Sequence, residues 1–203
     1  MRIGLIVDGE AEFKSLPHVI AALGHASGNT ILRPVLAKLT PTAPLPVIAR
    51  SCTSALQQLE GRRAERVVVL MDREDRSECI PHLASNLKRE LCQVTRVAID
   101  VVVKNRMYEN WLVADSQALA CQPGRFQVSA ADRGRVAPSK ADHVDALAMI
   151  KRSCLGTAYH KVLDSERVLA RADTLTIASN SRSFRRFLRC VGHPGYLQQS
   201  KRP

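Results

Sequence analysis

Two short runs in this chain, "IGLIV" at residues 3–7 and "VVVLM" at residues 67–71, carry no polar residue at all. A strand with one wet face alternates apolar and polar positions. A run that is apolar throughout is buried on both faces, which requires covering layers on both sides and suits a parallel sheet wound with helices. Each run ends abruptly in acid: "DGEAE" follows the first, and "DREDRSE", with four acids in seven positions, follows the second. Beyond the first turn, Phe13, Leu16, Val19, Ile20 and Leu23 recur at helical spacing and predict a helix over residues 12–26. Residues 30–39 read as a second strand, and residues 46–60 as a helix opening after the proline-rich loop "TPTAPLPV". A helix over 79–92 and a strand over 96–103 follow. This alternation predicts an α/β fold, a Rossmann-like, mainly parallel sheet flanked by helices. Ligands of such sheets lie beyond the carboxyl ends of the strands, where both acidic turns fall.

After Lys104 the texture becomes helical, with predicted helices over residues 107–115, 139–152 and 183–191. Residues 125–138 are polar and irregular, a candidate flexible loop. The expected organisation is an α/β core over 1–104 and a helical part over 105–203 packed on it, together one structural domain, since 203 residues suffice for one full core.

The net charge of +11 points to a polyanionic partner or substrate. A single tryptophan and few other aromatics argue against stacking on single-stranded bases. Six scattered cysteines without a C-x-x-C pair read as free thiols of a reducing compartment. Met1 and Arg2 lead straight into a strand rather than a signal-peptide core, and no apolar run approaches a membrane span. The expectation is a cytoplasmic protein without a membrane partner. No histidine pair has zinc spacing and no phosphate-binding glycine loop is present, so zinc chemistry and intrinsic P-loop NTP hydrolysis are not supported.

If the two apolar strands are neighbours, carboxylates from both turns converge. Acids brought that close repel one another unless cations fill the space between them. Mg²⁺ (or Mn²⁺) takes one or two carboxylates together with waters and phosphate oxygens, and can activate water beside a phosphoryl group. Glu10, Asp75 and Glu78 suit the first turns of the following helices, where the helix dipole favours acids; Glu12 and Asp72 sit where the crevice should open. Glu109, just past the third strand, reads as a further ligand, a general base or a partner of Arg106. Lys161 reads as a cation for the scissile phosphate or leaving oxygen, or as an ordinary surface lysine, and its neighbour His160 as a proton donor or a structural residue. Arg182, Arg185, Arg186 and Arg189 spread guanidinium groups over one short helix, fit to grip phosphates or an acidic partner protein.

"VDGEAEFKSL" with "VVVLMDREDR" resembles the TOPRIM pattern, an acid with glycine after the first strand and D-x-D after a later one. The version in overcoming-lysogenization-defect (OLD) nucleases is close to E-G-x-T-E, and residues 8–12 stand in its place. "YENWLVAD", "YHKVLD" and "SRSFRRFL" further resemble a family of small TOPRIM-like bacterial proteins catalogued as domain of unknown function number forty-two seventy-six. The resemblance spans residues 3–188. It implies a metal-dependent nuclease acting on DNA or RNA, associated with an ABC- or AAA-type ATPase partner in antiphage defence. Carried over residue by residue, it implies Asp8, Glu12, Asp72 and Glu74 as metal ligands and Glu12, Asp72, Glu109 and Lys161 as catalytic residues. Asp8 stands where glutamate is usual, one methylene shorter, and Glu74 where the second aspartate is usual. These departures keep open an alternative: an interaction subunit with a degenerate site that binds and regulates an ATPase.

Overall fold

The computed structural model describes residues 1–122 and 124–199. Five strands, β1 (Arg2–Val7), β2 (Thr30–Ile31), β3 (Val35–Leu36), β4 (Arg66–Asp72) and β5 (Ala98–Lys104), form one parallel sheet in the order β2-β1-β4-β5, with β3 also paired to β1. The result is a Rossmann-like α/β fold. The two apolar runs of the sequence are β1 and β4, paired in the register Ile3↔Arg66 to Ile6↔Val69. Residues 30–39 do not make one strand. β2 and β3 are two-residue pieces laid end to end along the outer edge of β1, because Pro34 lies between them and has no N–H to give to a ladder.

Strand alternation divides the core between the two faces. Ile3, Leu5 and Val7 of β1, with Val68 and Leu70 of β4 and Val102 of β5, pack against the first helices and those of the second half of the chain. Val67, Val69 and Met71 with Val101 and Val103 pack on the opposite face against Ile48, Leu56, Leu59, Leu83 and Leu87. Those last come from helices Leu45–Ser51, Thr53–Gly61 and Ile80–Leu91. Gly4 permits this second layer to close in, since a Cβ there would sit 2.8 Å from a Leu59 methyl. The second half of the chain thus supplies most of one covering layer of the sheet.

Two predicted helices are each broken in two. Residues 12–26 become Glu10–Ser15 and Pro17–Ser27, the second opening on Pro17 at a position where its missing N–H costs nothing. Residues 46–60 become Leu45–Ser51 and Thr53–Gly61. Within 125–138, expected to be irregular, lies the helix Ala130–Val136, with Ser129 accepting from the Asp132 N–H at 3.0 Å as its N-cap. Residues 139–152 yield a short 3-10 turn, Ala141–His143, and the helix Ala146–Ser153.

An aromatic cluster pins the last long helix, Arg182–Cys190, to the helix Glu109–Ala114. Trp111, fully buried, meets Phe184 edge-on at 4.9 Å and stacks on Phe187 at 5.6 Å, while its indole N–H donates to Ser183 Oγ at 2.8 Å. The Asp142 carboxylate accepts from Ser181 Oγ, Ser183 Oγ and the Ser183 N–H, so this buried polar group is fully paired. The Glu109–Ala114 helix is therefore held at the carboxyl end of β5 by its own core. Among the described residues, no helix is long and apolar enough to cross a membrane.

Candidate active site

β4 and β5 run in register to their last pair, Asp72↔Lys104. Alternation turns both side chains to the face already shown by Leu70 and Val102. Asp8 follows β1 directly, and Glu12 lies one helical turn on. These four residues converge. The Lys104 ammonium, wholly buried, lies 3.0 Å from Asp8 Oδ1, 3.0 Å from Asp72 Oδ1, and in hydrogen-bond contact with Glu12 Oε1. The Asp72 backbone N–H also donates to Asp8 Oδ2 at 2.7 Å, tying the two turns together. Oxygens of Asp8, Glu12 and Asp72 lie within 4.8 Å of one another, close enough to share a metal ion.

Three carboxylates against one ammonium would leave two negative charges in excess if all were ionised. Protons relieve the excess. Burial pushes the Asp8 carboxyl up, but the Lys104 ammonium and the Asp72 N–H outweigh it and hold Asp8 below the usual range. Burial, with Asp8 adding to it against the opposing pull of Lys104, raises Glu12. Burial also raises Asp72 to about 8, opposed by Lys104 and aided by Asp8 and Glu12. Burial disfavours the charge on Lys104, yet the three acids more than compensate and hold it well above the ordinary lysine value. Hydrogen bonding remains incomplete. Among the described residues, Glu12 Oε2 and Glu109 Oε2 are buried without a hydrogen-bond partner, and Asp72 Oδ1 has only its ionic contact with Lys104.

Gly9 makes room for this cluster. A Cβ at residue 9 would run into Glu12 Oε2, so any larger residue there has to displace that carboxylate, the backbone of Gly9 being ordinary extended chain. Behind Lys104, the Tyr108 ring lies 5.5 Å from the ammonium, and the Tyr108 hydroxyl bonds Ser15 Oγ at 2.6 Å.

On the solvent side of Asp72 opens a cleft of about 360 Å³ lined by Asp72, Glu74, Asp75, Glu109, three cations (Arg106, Lys151 and Lys161), and Met107, Leu147 and Tyr159. The turns after β4 and β5 are stitched to each other by the Arg73 N–H to the Lys104 carbonyl at 3.0 Å and the Glu74 N–H to the Arg106 carbonyl at 2.8 Å. Glu74 itself holds a left-handed backbone, φ +50°, and stands on the cleft wall outside the Asp8–Glu12–Asp72 cluster. Glu109, 1% exposed, faces Lys161 at 3.4 Å. Burial disfavours charge on Lys161, but Glu109, Asp72 and Glu12 raise it above its ordinary value. Lys161 opens its helix, Lys161–Leu169, which is fixed in place by Asp164: that carboxylate accepts from Arg125 Nε at 2.9 Å and from the His160 N–H at 2.8 Å.

The sequence-predicted residues Asp8, Glu12, Asp72, Glu109 and Lys161 therefore gather at one place, with Glu74 at its rim. His160 serves as the N-cap of the Lys161 helix, its Nδ1 accepting from the Leu163 N–H at 3.2 Å. The arginine helix is not part of this site. Arg185 donates to the Ala178 carbonyl at 2.6 Å, at the end of the helix Thr174–Asn180, and none of Arg182, Arg185, Arg186 and Arg189 lines the cleft beside Asp72. Sequence reasoning missed Lys104, Arg106, Lys151 and Tyr159. The one available signal was Lys104 itself, a lysine closing the apolar run "VVV" in the same position relative to its strand as Asp72 to its own.

No curated protein and no solved structure matches the chain. A family model does, over residues 7–191, which include every residue of this site. The chain belongs to the family described as Domain of unknown function (DUF4276).

Proposed function

We propose that the chain is a divalent-metal-dependent nuclease of the TOPRIM type, related to the OLD nucleases, that cleaves phosphodiester bonds of DNA or RNA. One observation carries this reading: buried acids with unpartnered oxygens stand beside a cleft whose rim bears three cations. Orphaned carboxylate oxygens suit a hard cation, so the donor set fits Mg²⁺ or Mn²⁺. The ion would be held at the strand-end acids, of which Asp72, together with Glu109, lines the cleft. When bound, such an ion polarises a phosphoryl oxygen and lowers the pKa of water.

The protein's own groups do the rest. Lys161, Lys151 and Arg106 draw the phosphate backbone to the cleft and offset the charge that develops on the phosphoryl oxygens. Met107, Leu147 and Tyr159 give the cleft an apolar wall against the sugar or base edge. Backbone contacts of this kind carry no sequence preference. An ABC- or AAA-type ATPase partner in antiphage defence belongs to the same reading and rests on the resemblance of "YENWLVAD", "YHKVLD" and "SRSFRRFL" alone.

A specific observation favours a second reading, an interaction subunit that regulates an ATPase. Lys104 already occupies the centre of the three acids, and a site so filled could be locked. Cleavage of labelled single- and double-stranded DNA and RNA with Mg²⁺ or Mn²⁺, by the full chain and by Asp72→Asn, separates the two. Metal-dependent cleavage lost in Asp72→Asn is expected. No cleavage of any substrate, with or without an ATPase partner, would sink the nuclease reading.

A further inference from the structure

Lys104 is no surface lysine that has folded inward. It is the last residue of β5, pinned by its Cα partnership with Asp72, and it has no exposed surface. Its ammonium faces three carboxylates, and an aromatic ring lies beside it at 5.5 Å. A flexible rim lysine could swing into solvent to admit an ion. Lys104 has no such path, because Tyr108, itself fully buried and bonded to Ser15, packs beside it. An ion entering from the cleft therefore meets the outer side of Asp72 first.

On that outer side the composition changes. Asp72 and Glu109 are the two buried acids that also line the cleft, whereas Asp8 and Glu12 do not line it. Among the described residues, Glu109 Oε2 has no hydrogen-bond partner, and Oε1 faces only a half-exposed lysine at 3.4 Å. That lysine, Lys161, can be displaced without disturbing the core.

We propose that Lys104 is a resident cation occupying the locus shared by Asp8, Glu12 and Asp72, and that the protein binds a single divalent ion in the cleft beside it, between Asp72 and Glu109. This rests on the metal-dependent reading above and narrows it. The lysine fills the position that an ion shared by Asp8, Glu12 and Asp72 would take, leaving one exchangeable ion beside it. Asp8 and Glu12 then serve to hold Lys104 and Asp72 in position rather than to touch the ion. Lys161 is the placeholder on Glu109 that the arriving ion releases toward substrate.

The test counts Mn²⁺ bound to the full chain by electron paramagnetic resonance of the free ion, in wild type, Glu109→Gln, Glu12→Gln and Lys104→Ala. One equivalent is expected in wild type. Glu109→Gln should weaken it by at least about tenfold, as loss of a ligand or its immediate support does, and Glu12→Gln far less. Lys104→Ala should gain a second equivalent and a melting temperature that rises with Mn²⁺. Should that variant fail to fold, the contrast between Glu109→Gln and Glu12→Gln still decides. Two equivalents in wild type, or binding lost in Glu12→Gln but kept in Glu109→Gln, would overturn the inference and leave metal dependence standing. No Mn²⁺ bound by wild type would overturn both.

Discussion

Asp72 and Lys104 are the last paired residues of neighbouring parallel strands, and their side chains meet at 3.0 Å with the lysine wholly buried. A sheet end that would otherwise collect negative charge thus carries its own counter-ion. Replacing Lys104 by Met keeps the length of the stem and removes the charge, leaving three acids with no cation. Breaking a buried ion pair by deleting one partner costs about 3–5 kcal/mol. Chemical denaturation of Lys104→Met should show a loss of that order, partly recovered by Mn²⁺.

The same pair sets a pH dependence. Asp72 titrates at about 8 in the folded protein, against an ordinary 3.8. The folded state therefore holds a proton that the unfolded chain has released, and stability falls as pH rises between these values. In metal-free protein the melting temperature should decline across that interval, and Asp72→Asn, which cannot ionise, should flatten the decline. Added Mg²⁺, favoured by the ionised acid, should stabilise wild type increasingly as pH climbs toward and past 8, and should not stabilise Asp72→Asn.

Gly9→Ala is expected to act on the site without touching any charge. Its methyl would collide with Glu12 Oε2, and relieving such overpacking costs about 1–3 kcal/mol. Shifting Glu12 loosens its bond to Lys104. Stability should fall, as thermal melting would register, with little change in divalent-ion affinity by calorimetry. Gly134→Ala, where the new methyl meets nothing, is the control.

Arg106, Lys151 and Lys161 line the cleft as cations, and Lys161 also faces the buried Glu109 at 3.4 Å. Alanine at Arg106 or Lys151 should leave the melting temperature nearly unchanged, alanine at Lys161 should lower it by leaving Glu109 without its cation, and all three should weaken nucleic-acid binding. The salt dependence of that binding should fall by about one unit for each phosphate that is no longer neutralised. Fluorescence anisotropy at several salt concentrations gives the slope.

Asp164 supports Lys161 from behind, through Arg125 and the His160 N–H. Asp164→Asn keeps the shape and loses the charge-assisted bonds, at about 2 kcal/mol. The hydrogen bonds of Arg125 and the His160 N–H hold this carboxyl below its ordinary value against the opposing effect of burial. Its contribution is therefore present above the ordinary aspartate pKa and disappears as pH falls through the lowered one, so the wild-type advantage over Asp164→Asn should vanish in acid.

The fold was legible where burial leaves a strong pattern. β1 and β4 announced themselves because both faces are covered, and the acids after them follow from the place where strands of a parallel sheet end. Short pieces were not legible. β2 and β3 have two residues each and owe their existence to the edge of β1, and the helix Ala130–Val136 reads as polar loop because much of its sequence faces solvent. Of the site, the acids were visible as residue types at strand ends, and their convergence followed only if β1 and β4 are neighbours, as they are. Lys104 was not found, because a lysine at a strand end reads as a solvated terminus unless its register against Asp72 is known. The cations of the cleft come from three separate segments of the second half, and nothing local in Arg106, Lys151 or Lys161 says that they face one cavity.

Calorimetric titration of Mg²⁺ into metal-free wild type and Asp72→Asn, both shown to be folded, tests most directly whether the strand-end acids form a metal site. Binding by wild type that is absent from Asp72→Asn is the expected result. A silent wild-type titration, or equal binding by the two proteins, would contradict it.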